Sequence, residues 1–144
     1  MPGSPALDDA NTATLISLAH LLVSRRVGEA VAAAGHPVRP SHGAVFSQLG
    51  PDGARLTDLA RVAQMSPQAM GELVDELEGL GYVERRPDPS DRRAKLIVLT
   101  PAGRRCGEAG GRAIAELERH ITDTLGERGH RDLRRMLRRL LEQG

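Results

Sequence analysis

Between Leu15 and Val23 the chain is apolar nearly all round. Leu15, Leu18, Leu22 and Val23 recur at helical spacing, and Ile16, Ala19 and Leu21 fill the other faces. Val27, Ala30 and Val31 continue the stripe, so the spacing predicts a helix from about Asp9 to Ala34, halted by Gly35-His36-Pro37. A helix apolar on more than one side has to be covered on more than one side. The far end of the chain makes a similar demand. Leu133, Met136, Leu137, Leu140 and Leu141 mark a last helix whose other face is Arg131, Arg134, Arg135 and Arg138. Phe46 and Tyr82 are the only aromatic residues among 144, so the core is built from Leu, Ala and Val. Terminal stripes that lie outside the middle of such a chain bury best against a second copy. The expectation is a homodimer joined by both ends, with Leu15, Leu18, Leu22, Leu133, Leu137 and Leu140 at its interface.

Composition narrows the class. A chain of 144 residues fits one domain, expected over 1–144, and its 40% apolar content excludes a disordered chain. No apolar run approaches the ~20 residues needed to span a bilayer, and the opening Met-Pro-Gly-Ser-Pro lacks the pattern of a secretion signal. A cytoplasmic protein with no membrane partner is expected. The single cysteine excludes a disulfide framework. The five histidines show no ligand spacing, so no metal and no cofactor are expected. No phosphate loop, nucleophile elbow or His-Glu-x-x-His stands in the chain, and the expectation is not an enzyme. Twenty basic against 19 acidic residues leave a net charge of +1, yet 19 of the 20 are arginine, the side chain suited to forked contacts with phosphate and base edges. With two aromatics there is no stacking platform for single strands.

The middle of the chain reads as short elements. Residues 1–8 read as a frayed tail. Ser41 can cap a helix to about Leu49, stopped by Gly50-Pro51-Asp52-Gly53, and Thr57 can cap another from Asp58 to Ala63. Ser66 followed by Pro67 caps a third, with Met70, Leu73, Val74, Leu77 and Leu80 on one stripe and Gly81 as its stop. The period then changes. Tyr82–Arg86 reads as a strand, Pro87–Arg93 as a loop and Lys95–Leu99 as a second strand. Thr100-Pro101 begins a further helix, broken over Gly126–Gly129. The fold class is mainly α with a small β-hairpin.

Leu59, Ala60, Ala63, Met65, Met70, Leu73 and Val74 stand at helix-turn-helix spacing. The run beyond them is more specific: Leu80-Gly81-Tyr82-Val83-Glu84-Arg85-Arg86, then Asp88-Pro89-Ser90-Asp91-Arg92-Arg93, a strand and Leu99-Thr100. Here the chain resembles the MarR family of winged helix-turn-helix transcription regulators, from about residue 10 to its end. The resemblance implies a homodimer on a pseudo-palindromic double-stranded DNA. Residues 9–35 and 101–144 would be dimerisation helices, and residues 40–100 the DNA-binding region. The helix from Ser66 would enter the major groove and the hairpin tip, the wing, the minor groove. It also implies a repressor released by a small anionic or phenolic effector or by oxidation of a cysteine.

Residue chemistry then distributes the roles. Residues 84–95 hold Arg85, Arg86, Arg92, Arg93 and Lys95 against Glu84, Asp88 and Asp91, a net +2. Arginine suits the strongly negative potential of a narrow minor groove, and Asp91 can orient Arg93 by a forked pair. Residues 66–81 carry Glu72, Asp75, Glu76 and Glu78 and no base, a net −4 where the family commonly has arginine near Glu72 and Glu76. Phosphates repel this helix, so affinity must come from Arg85, Arg92, Arg93 and Lys95. Base contacts fall to Ser66, Gln68 and Ala69, with Gln68 suited to adenine and Glu72 to cytosine. Asp75 and Glu76 can equally serve as partners for arginines of the wing or of partner helices. His20 and Cys106 are the candidate effector contacts, with a satisfied core histidine and a packing cysteine as the plainer readings. The acidic helix also leaves open a dimeric interaction protein, or a small-molecule- or metal-binding protein, of the same fold that has lost DNA binding.

Overall fold

The computed structural model describes residues 5–144. Residues 1–4 of the expected tail lie outside the described residues, and the rest of that stretch forms a helical turn, α1 (Pro5–Asp8). Asn11 caps α2 (Thr12–Ala33) by accepting the Thr14 N–H at 2.9 Å, which satisfies a donor that has no partner inside the helix.

The next helix neither starts at Ser41 nor reaches Leu49. A 3-10 turn (Pro40–His42) runs into a single α-turn, α3 (Gly43–Phe46). His42 is the capping side chain: its Nδ1 accepts the Arg39 backbone N–H at 3.0 Å. Thr57 is likewise not a cap, since it lies inside α4 (Leu56–Val62). A two-residue strand, β1 (Ala54–Arg55), fixes the entry to α4 by pairing with the hairpin instead. Ser66 does cap α5 (Pro67–Gly79), its Oγ accepting the Ala69 N–H at 3.1 Å.

The hairpin is longer than the sequence suggests. β2 (Val83–Asp88) and β3 (Asp91–Leu99) extend into the stretch read as a loop, where Pro87 pairs with Lys95 and Asp88 with Asp91 across a register shift, leaving Pro89-Ser90 as the turn. With β1 they make a three-stranded sheet in the order β1-β3-β2, not a two-stranded one. Thr100 then caps α6 (Pro101–Glu142). Its Oγ1 accepts the Gly103 N–H at 3.1 Å and donates to the Gly81 carbonyl at 2.6 Å, which ties the end of the hairpin to the end of α5.

α6 bends at Gly126 (φ 72°, ψ 163°) alone, not over Gly126–Gly129. Glu118 and Arg134 approach to 3.8 Å, whereas a straight helix would hold them about 24 Å apart. Thr122 and His130 hydrogen-bond at 2.8 Å across the same bend. The segment beyond Gly126 therefore folds back on the segment before it.

The core gathers Val31, Val45, Leu59, Met70, Val74, Leu77, Val83 and Ile97 with Cys106 and Ala109 of α6, mostly small aliphatics as the composition requires. α6 passes so close to the chain after α5 that a Cβ on Gly103 would lie 1.9 Å from the Tyr82 carbonyl oxygen. Outside the core, Leu15, Leu18, Leu22, Leu137 and Leu140 stand 38–58% exposed, and Leu133 is half-buried. No helix of the described residues is long and apolar enough to cross a membrane.

Candidate nucleic-acid interface

α4 and α5 form the helix-turn-helix. Leu59 and Ala60 of the first pack with Met70, Leu73, Val74 and Leu77 of the second, all buried. That packing turns Ser66, Gln68 and Glu72 to solvent, with Ala69 half-buried beside them. Folding halves the −4 of this helix. Arg85 of β2 donates to Asp75 at 2.7 Å and to Glu78 at 2.9 Å. Glu76 takes the Arg39 guanidinium and, at 2.7 Å, the His42 ring. Because His42 Nδ1 accepts a backbone N–H, its Nε2 carries the proton given to Glu76. The bonds from Arg39, then His42, hold the Glu76 carboxyl below its ordinary range. Glu72 is left as the one carboxylate of α5 without a basic partner among the described residues.

The wing sorts its charges in the same way. Arg86 pairs with Glu84. Arg92, Arg93 and Lys95 are exposed and hold no ion pair among the described residues. Arg85, expected among the DNA contacts, is instead spent on α5. The forked pair between Asp91 and the Arg93 guanidinium is not made either: the Asp91 carboxylate accepts the Arg93 backbone N–H at 3.0 Å. A short side chain finds the amide two residues on before it finds a long side chain's end. The residue that fixes the wing is Asp88. Buried at the turn, it accepts the Ser90 N–H at 2.9 Å and hydroxyl at 2.7 Å, and Arg55 of β1 at 2.9 and 2.7 Å. The Ser90 and Arg55 bonds hold its carboxyl down at about 2.

Behind the interface, a cleft of about 660 Å³ opens between α2, α3 and α6. Val23, Val27, Phe46 and Ile114 give it apolar walls, and His20 and Cys106 both line it. His20 is exposed, so the core reading of this residue fails. Cys106 is buried, and burial pushes its thiol up, away from thiolate chemistry. Gly107, Gly110 and Gly111 form part of the wall without being crowded, the nearest atoms to an added Cβ being 4.0 Å and 3.9 Å away or absent within 4 Å. Among the described residues no group of three His, Cys, Asp or Glu is placed to hold a metal.

A profile of the MarR family matches residues 36–94, the stretch from the end of α2 to the middle of β3. The transcriptional activatory protein BadR of Rhodopseudomonas palustris is 30% identical over 100 residues, 69% of this chain and 56% of BadR. Over residues 36–94 the chain is MarR-like. It spans about half the length of sequence relatives such as BadR. A probable transcriptional regulator from Pseudomonas aeruginosa, 29% identical, superposes with a TM-score of 0.75 over 93% of this chain and 98% of that one. CouR from Rhodococcus jostii RHA1, bound to p-coumaroyl-CoA, is 28% identical with a TM-score of 0.76 over 95% of each chain. A second CouR structure, 26% identical with a TM-score of 0.72 over 99% and 97%, holds a 23-mer DNA duplex.

The residues read from sequence fall into three groups. Ser66, Gln68, Glu72, Arg92, Arg93 and Lys95 are exposed on α5 and the wing. His20 and Cys106 share the cleft. Arg85 and Asp91 have other partners than expected. The sequence reading missed Arg39 and His42 as partners of Glu76, and Arg55 with Asp88 as the clamp of the wing. Asp88-Pro89-Ser90 was the available signal for the second, because an Asp two residues before a Ser in a turn commonly accepts its amide. No local signal marks the first, whose members lie 34 or more residues apart.

Proposed function

We propose that this MarR-like protein is a cytoplasmic, non-enzymatic transcriptional regulator, probing double-stranded DNA as a homodimer and acting as an effector-responsive repressor. One observation carries the reading. Among the described residues the cations of the wing without partners are Arg92, Arg93 and Lys95, at its tip and on β3, beside a helix whose −4 is cut to −2 by the guanidinium groups of Arg85 and Arg39. Such a surface meets phosphate with attraction at the wing and about half the repulsion at α5 that its sequence alone would give. In this reading Gln68 and Glu72 face base edges, Ser66 and Ala69 lie against the groove, and Arg93 enters the minor groove. CouR bound to a 23-mer duplex supports the partner, and CouR bound to p-coumaroyl-CoA supports an effector in the cleft lined by His20 and Cys106.

A gel-shift with the DNA upstream of the chain's own reading frame, at two salt concentrations, tests it. Arg93→Ala is expected to weaken binding by ~1–3 kcal/mol per contact and to flatten the log–log salt slope. Asp91→Ala weakens binding less, through the loosened turn, even though it removes a negative charge. Equal binding by Arg93→Ala at both salt concentrations refutes the minor-groove role. Absence of parent binding at low salt favours the alternative, a dimeric interaction or small-molecule protein of this fold.

A further inference from the structure

The charge of the chain is not spread evenly. Residues 1–125 hold 14 basic and 16 acidic side chains, a net −2, whereas residues 126–144 hold six and three, a net +3. The surface that meets DNA in the reading above lies wholly in the first part, and residues 66–95, α5 and the wing together, carry −2. The densest positive charge stands instead on the segment of α6 beyond Gly126. At about 100° per residue, Leu133, Met136, Leu137, Leu140 and Leu141 fall within an arc of about 140°. Arg128, Arg131, Arg134, Arg135, Arg138 and Arg139 fall within the opposite arc. Three of them have partners, all inside α6: Arg131 with Glu127 at 3.9 Å, Arg134 with Glu118 at 3.8 Å and Arg135 with Asp132 at 3.0 Å. Arg128, Arg138 and Arg139 are exposed and hold no ion pair among the described residues.

A surface that serves solubility alone intersperses both signs. This one gathers arginine, whose fork matches phosphate. A bilayer would need the apolar arc of the same segment, and the second copy of the proposed homodimer covers Leu133, Leu137 and Leu140 of it. What stays outside is a row of cations, which suits a rigid polyanion. We propose that the arginine face of this segment docks a second double-stranded DNA by its phosphates, without reading sequence, so that a dimer seated on one duplex tethers another. This rests on the reading of the protein as a DNA-binding homodimer and adds a site to it.

Bead-bound upstream duplex, loaded with the full-length protein, is offered a fluorescent duplex of unrelated sequence at low salt. The parent is expected to capture it, with an affinity that falls by about 0.9 log unit per contacted phosphate for each tenfold rise in salt. A variant carrying Arg128→Gln, Arg138→Gln and Arg139→Gln is expected to hold the upstream duplex as the parent does, and to capture the second duplex tenfold less or worse. Lysine at the same three positions keeps most of the capture, because phosphate also accepts a point charge. The proposal is overturned if the parent captures no second duplex, or if the glutamine variant captures as much. It is also overturned if phosphatidylglycerol vesicles bind the parent at a salt concentration that abolishes capture, which would make the face a membrane contact. A parent that binds no upstream duplex sinks the proposed function. Unrelated duplex on the beads then tests this face by itself, and equal retention of the parent and the glutamine variant overturns it.

Discussion

Asp88 shows how one side chain can decide the shape of a functional surface. Its carboxylate meets two donors from Ser90 across the turn and two from Arg55 across the sheet. The wing tip is thus tied to β1 at the root of α4, and the cations beyond it are held in a fixed place relative to α5. The carboxyl titrates at about 2 in the folded chain, below its ordinary ~3.9 when unfolded. A depressed carboxyl stabilises the fold above the unfolded value, and that contribution is lost as the pH falls from about 4 through about 2. Urea unfolding at pH 7, 4 and 2.5 should show this loss in the parent. Asp88→Asn should be less stable at pH 7 and lose less on acidification. An identical pH slope in both proteins would mean that other carboxylates carry the effect. The charge pattern of α5 teaches the same lesson. A net −4 in sequence falls to −2, with Glu72 the one carboxylate left without a basic partner among the described residues, because Arg85, Arg39 and His42 lie within reach only once the chain is folded.

At the scale of elements, α6 carries a glycine cluster with two different causes. Gly103 stands where α6 crosses the Tyr82 backbone, and a side chain there would collide with a carbonyl that cannot move without dragging β2. Gly103→Ala is therefore expected to cost more than about 3 kcal/mol, beyond ordinary overpacking. Gly111 has nothing within 4 Å of an added Cβ and lies inside a helix. Gly111→Ala should stabilise by roughly 1 kcal/mol through helix propensity, while adding a methyl group to the cleft wall. Chemical denaturation of the two variants side by side checks both signs. Loss of stability in both would mean that α6 needs its glycines for close packing throughout.

The whole molecule leaves its two ends uncovered. Leu15, Leu18, Leu22, Leu137 and Leu140 are exposed to an extent that a lone chain in water rarely tolerates in one region. The fold-back at Gly126 brings the last apolar stripe back alongside the first half of α6, and α2 packs on α6 as well. A second copy is the occupant the proposed function requires. Sedimentation should give a dimer, and deletion of residues 1–30 should give aggregation or unfolding, because obligate dimers often lack a stable monomer. A folded, monodisperse monomer from that deletion would refute this architecture.

Sequence by itself determined the helices with strong periodicity, the Ser66 cap, the helix start at Thr100-Pro101, the change of period after Gly81 and the class of fold. Each depends on neighbours within one or two turns, where spacing and backbone chemistry suffice. Ser41 and Thr57 were misread as caps because a hydroxyl before a helix is only a candidate: His42 and the pairing of β1 had already fixed those entries. A two-residue strand shows no alternation, so β1 had no signature, and the hairpin looked shorter because charged strand residues at an exposed tip resemble a loop. Tertiary structure alone decided which charges remain free. Arg85 and Arg93 are indistinguishable in sequence, both arginines in a basic hairpin, yet one faces the carboxylates of α5 and the other faces solvent. Attraction between charges falls with distance, and the fold sets those distances.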